Sequence, residues 1–297
     1  MPRLFGAYIM VDWSAASKPA TGEDSIWVGH MRRDVRFRPV YAAHNPSTRK
    51  AAEDLIRTLI DDHAKRGERV LLGLDFPLGY PAGASIALKL KDQPPWRALH
   101  AFLAKEVKDK PDNSNNRFQV AAMMNRTISG GPFPFWGCPP RDTLTTLQPK
   151  KGRPHGDDDV PEFRHAERIA KGAQPVWKLY TSGNVGSQAL MGIPVVKRLK
   201  DAFGASLALW PFETGWKTLT EADLDGVAIV AAEIYPSLFA ATAAAGEVKD
   251  ATQVRATAEH FLALDEKNQL GAVFGPKADQ AGHAEAVVQE EGWILGV

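Results

Sequence analysis

Two short apolar runs in this sequence each lead into an aspartate: GAYIMVDWS, residues 6–14, which carries Asp12, and VLLGLD, Val70 to Asp75. Their length and β-branched or large apolar content read as buried strands, the first closed by polar residues and the second broken by Phe76-Pro77-Leu78-Gly79. A carboxylate at the exit of such a strand is half stripped of water. It is expensive there unless paired, hydrogen-bonded or bound to a metal. Any fold for this chain must bury both runs and provide for both aspartates.

The residues between the runs narrow the topology. Strands are expected near 25–32 and 35–43, close enough to the first to form an antiparallel meander with it. Ala52, Leu55, Ile56, Leu59, Ile60 and His63 then recur at helical spacing, with Ser47 as the expected N-cap and Gly67 as the stop. Three strands, a helix and a fourth strand make the first half of a ribonuclease H-like fold, in which a right-handed crossover sets the fourth strand beside the first. That order brings Asp12 and Asp75 side by side.

Beyond Asp75 the chain reads as a large helical and loop insertion, about 80–205, and then a return to the sheet. Helical periodicity near 95–109 puts Trp96, Leu99, Leu103 and Val107 on one side. Residues 130–161 are rich in Gly and Pro and set Lys150, Lys151 and Arg153 ahead of Asp157, Asp158 and Asp159, the composition of a mobile lid or of a disordered loop. Around 186–203, Gly192 and Pro194 suggest two short helices joined by a kink, with Pro194 in the first turn of the second. Strands near 207–213 and 226–235 and helices near 250–265 and 278–290 close the chain. The expected fold class is α/β, a ribonuclease H-like mixed sheet with flanking helices, in a single domain spanning 1–297.

Composition limits the partners. Lys and Arg total 36 against 35 for Asp and Glu, so a net charge of +1 supplies no global field for gathering nucleic acid. The lone cysteine, Cys138, cannot close an intrachain disulfide and excludes a Cys-rich zinc site, which fits a reducing compartment such as the cytoplasm. Asp12 interrupts the only N-terminal apolar run, so no signal peptide is expected, and no segment approaches the ~18 apolar residues of a membrane span.

Four acids are candidates for one centre: Asp12, Asp75, Glu233 in AEIYP and Asp279 in KADQAGH. An oxygen-only donor set favours Mg²⁺ or Mn²⁺ over zinc, and His283, one turn after Asp279, is placed to join it. The alternative is that these acids cap local structure and pair with nearby cations. The first loop offers Ser14 and Lys18. A second group is the small-residue turn Tyr180 to Gln188, where Gly183, Asn184 and Ser187 open a helix as an anion pocket does, although Asn184 also suits a plain N-cap. It lacks the trailing Lys of a P-loop. A third is NNRFQVAAMMNR, residues 115–126, in which Arg117 offers a fork of donors to a phosphate and Asn116 and Asn125 fix its orientation. Phe133, Phe135 and Trp136 come next as rings that stack on a base or pack on the core.

Taken together, VDWSAAS, LLGLDFPLGYP, NRFQVAAMMNR, SGNVGSQALMGIP and EIYPSLF resemble an uncharacterised branch of the ribonuclease H-like superfamily, the domain-of-unknown-function family 429. The resemblance spans most of the chain and implies that Asp12 and Asp75 occupy the first two acidic positions of a metal centre, with Glu233 and Asp279 at the later ones. The expected function is a divalent-metal-dependent nuclease or phosphoesterase acting on a phosphate-containing small molecule or nucleic acid, with Lys18 or Arg117 engaging the phosphate. Two alternatives stand beside it: a non-catalytic nucleotide or nucleic-acid binder on a degenerate centre, and an actin-like ATP-dependent kinase.

Overall fold

A computed structural model describes residues 3–181, 183–239, 241–243 and 246–297. Six strands form one mixed sheet: β1 (Ala7–Asp12), β2 (Trp27–Arg33), β3 (Pro39–His44), β4 (Val70–Leu74), β5 (Leu207–Leu209) and β6 (Ile229–Glu233), in the order β3-β2-β1-β4-β6-β5. β1, β2 and β3 make the antiparallel meander, whereas β4, β6 and β5 run parallel to β1. The helices of ten or more residues are α1 (Arg49–Ala64), α2 (Pro95–Glu106), α3 (Arg117–Ser129), α4 (Val185–Phe203) and α5 (Lys249–Glu266). The chain is thus α/β, and among its described residues no helix is long and apolar enough to cross a membrane.

Strand alternation divides the core. Ile9, Val11, Leu72, Leu74 and Ala231 face α1 and the second half of α4, where Ile56, Ile60, Val195 and Leu199 cover them. Tyr8, Met10, Leu71, Val230 and Ile234 face the other way, under Val254, Ala258 and Phe261 of α5. Asp265 locks that helix to β1: its buried carboxylate accepts from the backbone N–H groups of Leu4 and Phe5 and from the Tyr8 hydroxyl at 2.6 Å. A third cluster belongs to the insertion, in which Leu99 and Leu103 of α2, Phe118 and Met124 of α3 and Leu190 of α4 gather around Phe135 and Trp177.

Several boundaries differ from the sequence reading, each for a local reason. Thr48, not Ser47, caps α1, its hydroxyl accepting from Ala51 N–H at 3.2 Å. Residues 186–203 form one helix rather than two: Pro194 lies inside α4, where burial of Ile193, Val195 and Val196 compensates for the missing N–H. The strand expected over 207–213 stops after three residues, because Pro211 cannot continue the ladder. Residues 130–161 are packed rather than a free lid: Phe133 and Phe135 are buried, and Arg153 lies over the Phe133 ring while bridging to Asp159. The expected helix over 278–290 is instead a chain of short turns, a 3₁₀ turn at Ala281–His283, a single α turn and a π turn at Val287–Glu291.

That last turn matters to the sheet. Glu290 and Glu291 accept from the backbone N–H groups of Ala82, Gly83 and Ser85, stitching the C-terminal segment onto the loop that leaves β4. Gly79 makes the approach possible, since a β-carbon there would meet the Glu290 carbonyl oxygen at 2.2 Å. Gly79→Ala is expected to destabilise the fold by about 3 kcal/mol, read as a lowered urea midpoint at unchanged slope.

Candidate metal centre and its cavity

The parallel pairing of β1 with β4 sets the site. Val11 is in register with Leu74, and the Asp75 N–H donates to the Val11 carbonyl, so Asp12 and Asp75 leave the sheet at the same level. They lie two residues beyond Met10 and Gly73, which meet on the α5 face, and so they emerge on that face too. The first turn of α5 delivers Lys249 and Asp250 to the same place, and Asp250 accepts from the Asp24 N–H at 2.9 Å. These residues line a cavity of about 840 Å³ together with Ser14, Arg117, Arg164, Glu233 and Tyr235.

Neither Asp12 nor Asp75 receives a side-chain hydrogen bond or ion pair from the described residues. Both are half-buried. Burial pushes the Asp12 carboxyl well above the usual carboxylate range, with Asp75, Asp250 and Asp24 pushing the same way and Lys249 opposing them. Asp75 is pushed up to about 7, first by burial and then by the charges of Glu233 and Asp250. Two adjacent carboxylates that protein groups leave unsatisfied hold a shared proton or a cation.

Glu233 has a different fate. It stands at the end of β6, buried, and Arg164 grips it with two bonds at 2.6 and 2.7 Å while the Leu78 N–H donates at 3.2 Å. Arg164 also bonds Glu167 at 2.9 Å and the Glu291 carbonyl at 2.8 Å. Glu167 nevertheless has its pKa pushed up to about 7, burial outweighing the help from Arg164. Glu233 is therefore an ion-pair partner at the cavity wall rather than an open ligand. Asp279 is outside altogether, exposed in a turn and absent from the cavity lining, because the expected last helix does not form. His283 goes with it, stacked on His165 at 4.0 Å between ring centres. The expected four-acid centre is not assembled; Asp250 comes in where Asp279 does not.

The other candidates divide similarly. Ser14 lines the cavity, as do Arg117, Gly183 and Asn184, while Ser182 lies outside the described residues. Lys18 is exposed and away from the lining. Asn116 is structural, donating to the Glu106 carbonyl and accepting from Lys108 N–H. Asn125 clamps the packed loop through the Phe135 backbone and the Thr146 carbonyl, and Ser187 is buried, donating to the Leu179 carbonyl at 2.6 Å. The burial of Phe133 and Phe135 removes them as stacking platforms.

Sequence reasoning missed Asp250, Lys249, Asp24 and Arg164. Asp250 was within reach, since its helix was expected and strand alternation names the face that Asp12 shares with it. Arg164 carries no such signal in PEFRHAE. No family model, curated protein or solved structure matches the chain.

An ordinary aspartate releases its proton near 3.8, whereas folded Asp75 holds its own up to about 7. The folded chain therefore binds more protons across that window, and metal-free stability falls as pH rises through it. Asp75→Asn is expected to flatten that slope and to raise the melting temperature at pH 8 in chelator, measured by calorimetry. Arg164→Met, which strands Glu233 without its cation, is expected to cost about 3–5 kcal/mol in urea unfolding.

Proposed function

We propose that the chain is a divalent-metal-dependent phosphoesterase or nuclease on a ribonuclease H-like sheet, with Asp12 and Asp75 holding Mg²⁺ or Mn²⁺. One observation carries the reading: two neighbouring strand-end carboxylates share a cavity, and no cation or donor among the described residues satisfies either of them. The meander followed by parallel β4 supports the fold assignment. The donor set suits a hard cation. Among the described residues no group of three or more His, Cys, Asp and Glu side chains forms a ready metal cage, and Mg²⁺ commonly needs none, taking one or two carboxylates and filling the rest of its shell with water and substrate phosphate.

When bound, such an ion supplies positive charge that stabilises a leaving oxygen and acidifies water. The chain's residues do the positioning. Arg164 fixes Glu233 beside Asp75, where its charge raises the cost of leaving Asp75 without a cation. Asp250 holds the 22–25 loop by its backbone and adds negative charge opposite Asp12. Lys249 tempers Asp12 from the same turn.

A second reading, binding without turnover, draws on the capture of Glu233 by Arg164 and the displacement of Asp279, which leave the centre with fewer free acids. The actin-like kinase has less behind it, since Trp13, next to Asp12, is a large side chain buried against Phe76 where phosphate contact calls for a small residue.

Saturating Mn²⁺ is expected to raise the melting temperature of the parent by about 5 °C and to leave Asp12→Asn nearly unmoved. Equal responses would remove the metal centre. Turnover of a model phosphodiester that disappears in Asp12→Asn selects the hydrolase; stabilisation without turnover on RNA, DNA or nucleotides selects the binder.

A further inference from the structure

Arg117 is a cation in an unusual position. Its side chain is only 8% exposed, it lines the cavity, and it forms no ion pair with the described residues. Nε donates to Ser187 Oγ at 3.1 Å, and Nη1 donates to Ser17 Oγ at 2.8 Å and to Asn115 Oδ1 at 2.9 Å. All three partners are neutral, and Nη2 has no acceptor among the described residues. The nearby acids are committed elsewhere. Asp109 is bidentate to Arg49 at 2.7 Å, and Asp142 lies partly exposed beside Arg141. A buried charge without a counter-charge is expensive, and a fold carries one at a cavity wall when a ligand completes it. Burial and the charge of Arg49 push the guanidinium down to about 10, so it remains a cation at neutral pH.

The surrounding groups hold that fork still. Ser187 is anchored to Leu179, the Phe118 ring lies 4.3 Å from the guanidinium carbon, and Gly183, Asn184 and Gln188 at the start of α4 share the wall. Gln188 donates to the Trp13 carbonyl at 2.6 Å, tying this wall to the strand exit that bears Asp12. Arg117 is held by Ser17 of the first loop and by Asn115 and Ser187 of the insertion, whereas the charges acting on Asp75, Glu233 and Asp250, come from β6 and α5.

Resting on the phosphoester reading, we propose that Arg117 seats a second, non-scissile phosphate, so that the substrate is a small molecule bearing a phosphomonoester at one end and the linkage to be cleaved at the other. A cavity of about 840 Å³ has the capacity of a small-molecule site, and a net charge of +1 supplies no global field for gathering a long polyanion. Hydrolysis joins a water oxygen to the scissile phosphorus as the ester P–O bond breaks, one water proton passing to the departing alcohol. The phosphate on Arg117 is unchanged throughout.

Inorganic phosphate titrated calorimetrically into the metal-free protein tests this. The parent and Asp75→Asn are expected to bind it, and Arg117→Met to bind at least about tenfold more weakly. Equal affinity in the parent and Arg117→Met, or no binding by the parent, overturns the proposal. Should Arg117→Met fail to fold, the Arg117 Nε–H resonance of the parent decides, since phosphate at this seat must shift it and phosphate elsewhere leaves it in place. The Mn²⁺ response at Asp12 is read separately, so loss of the phosphate seat and loss of the metal centre are distinguishable.

Discussion

Parallel pairing of β1 with β4 forces two like charges together. The ladder that pairs residues 7–11 with residues 70–74 also delivers Asp12 and Asp75 to one level and one face, and no described side chain pairs with either of them. The hydrogen-bond register and the apolar faces of both strands are worth more than the repulsion at their ends. That cost is left at the cavity, where a proton or a cation can relieve it.

The rest of the molecule is arranged around this imbalance. Arg164 comes from the insertion to neutralise Glu233, and the C-terminal turn accepts the loop after β4 through Glu290 and Glu291. Both contacts join segments far apart in sequence, so the wall of the cavity forms only when the insertion and the C-terminal turn have docked on the sheet. Arg117 has the opposite electrical problem to Asp75, a cation without an anion, and it faces the same space. A cavity lined both by surplus negative charge and by an unpaired guanidinium presents two different kinds of contact to whatever enters it.

Much of the sheet was legible because apolar periodicity and chain order are local or nearly local signals. The meander, α1 and the β1–β4 neighbourhood follow from residues 6–75, and with them the juxtaposition of Asp12 and Asp75. Glu233 was placed correctly at a strand end, but its role turned on Arg164, whose partner lies 69 residues away in a segment without periodicity. Asp279 was misplaced for a related reason. Residues 278–290 have the composition of a helix, yet Glu290 and Glu291 satisfy backbone donors elsewhere in the chain, and tertiary demand overrides the local preference. Pro194 misled in the other direction, since buried contacts on both sides keep α4 continuous across it.

That continuity has a mechanical consequence. The first half of α4 is built into the insertion's own core through Ala189, Leu190 and Ile193, and its second half is built into the sheet core through Val195, Val196 and Leu199. One rod is thus embedded in two packed bodies, and they cannot swing about it like the halves of a clamshell without tearing side chains out of one of them. Access to the cavity is therefore set by the loops at its rim, while the wall that α4 supplies is held in place from both sides.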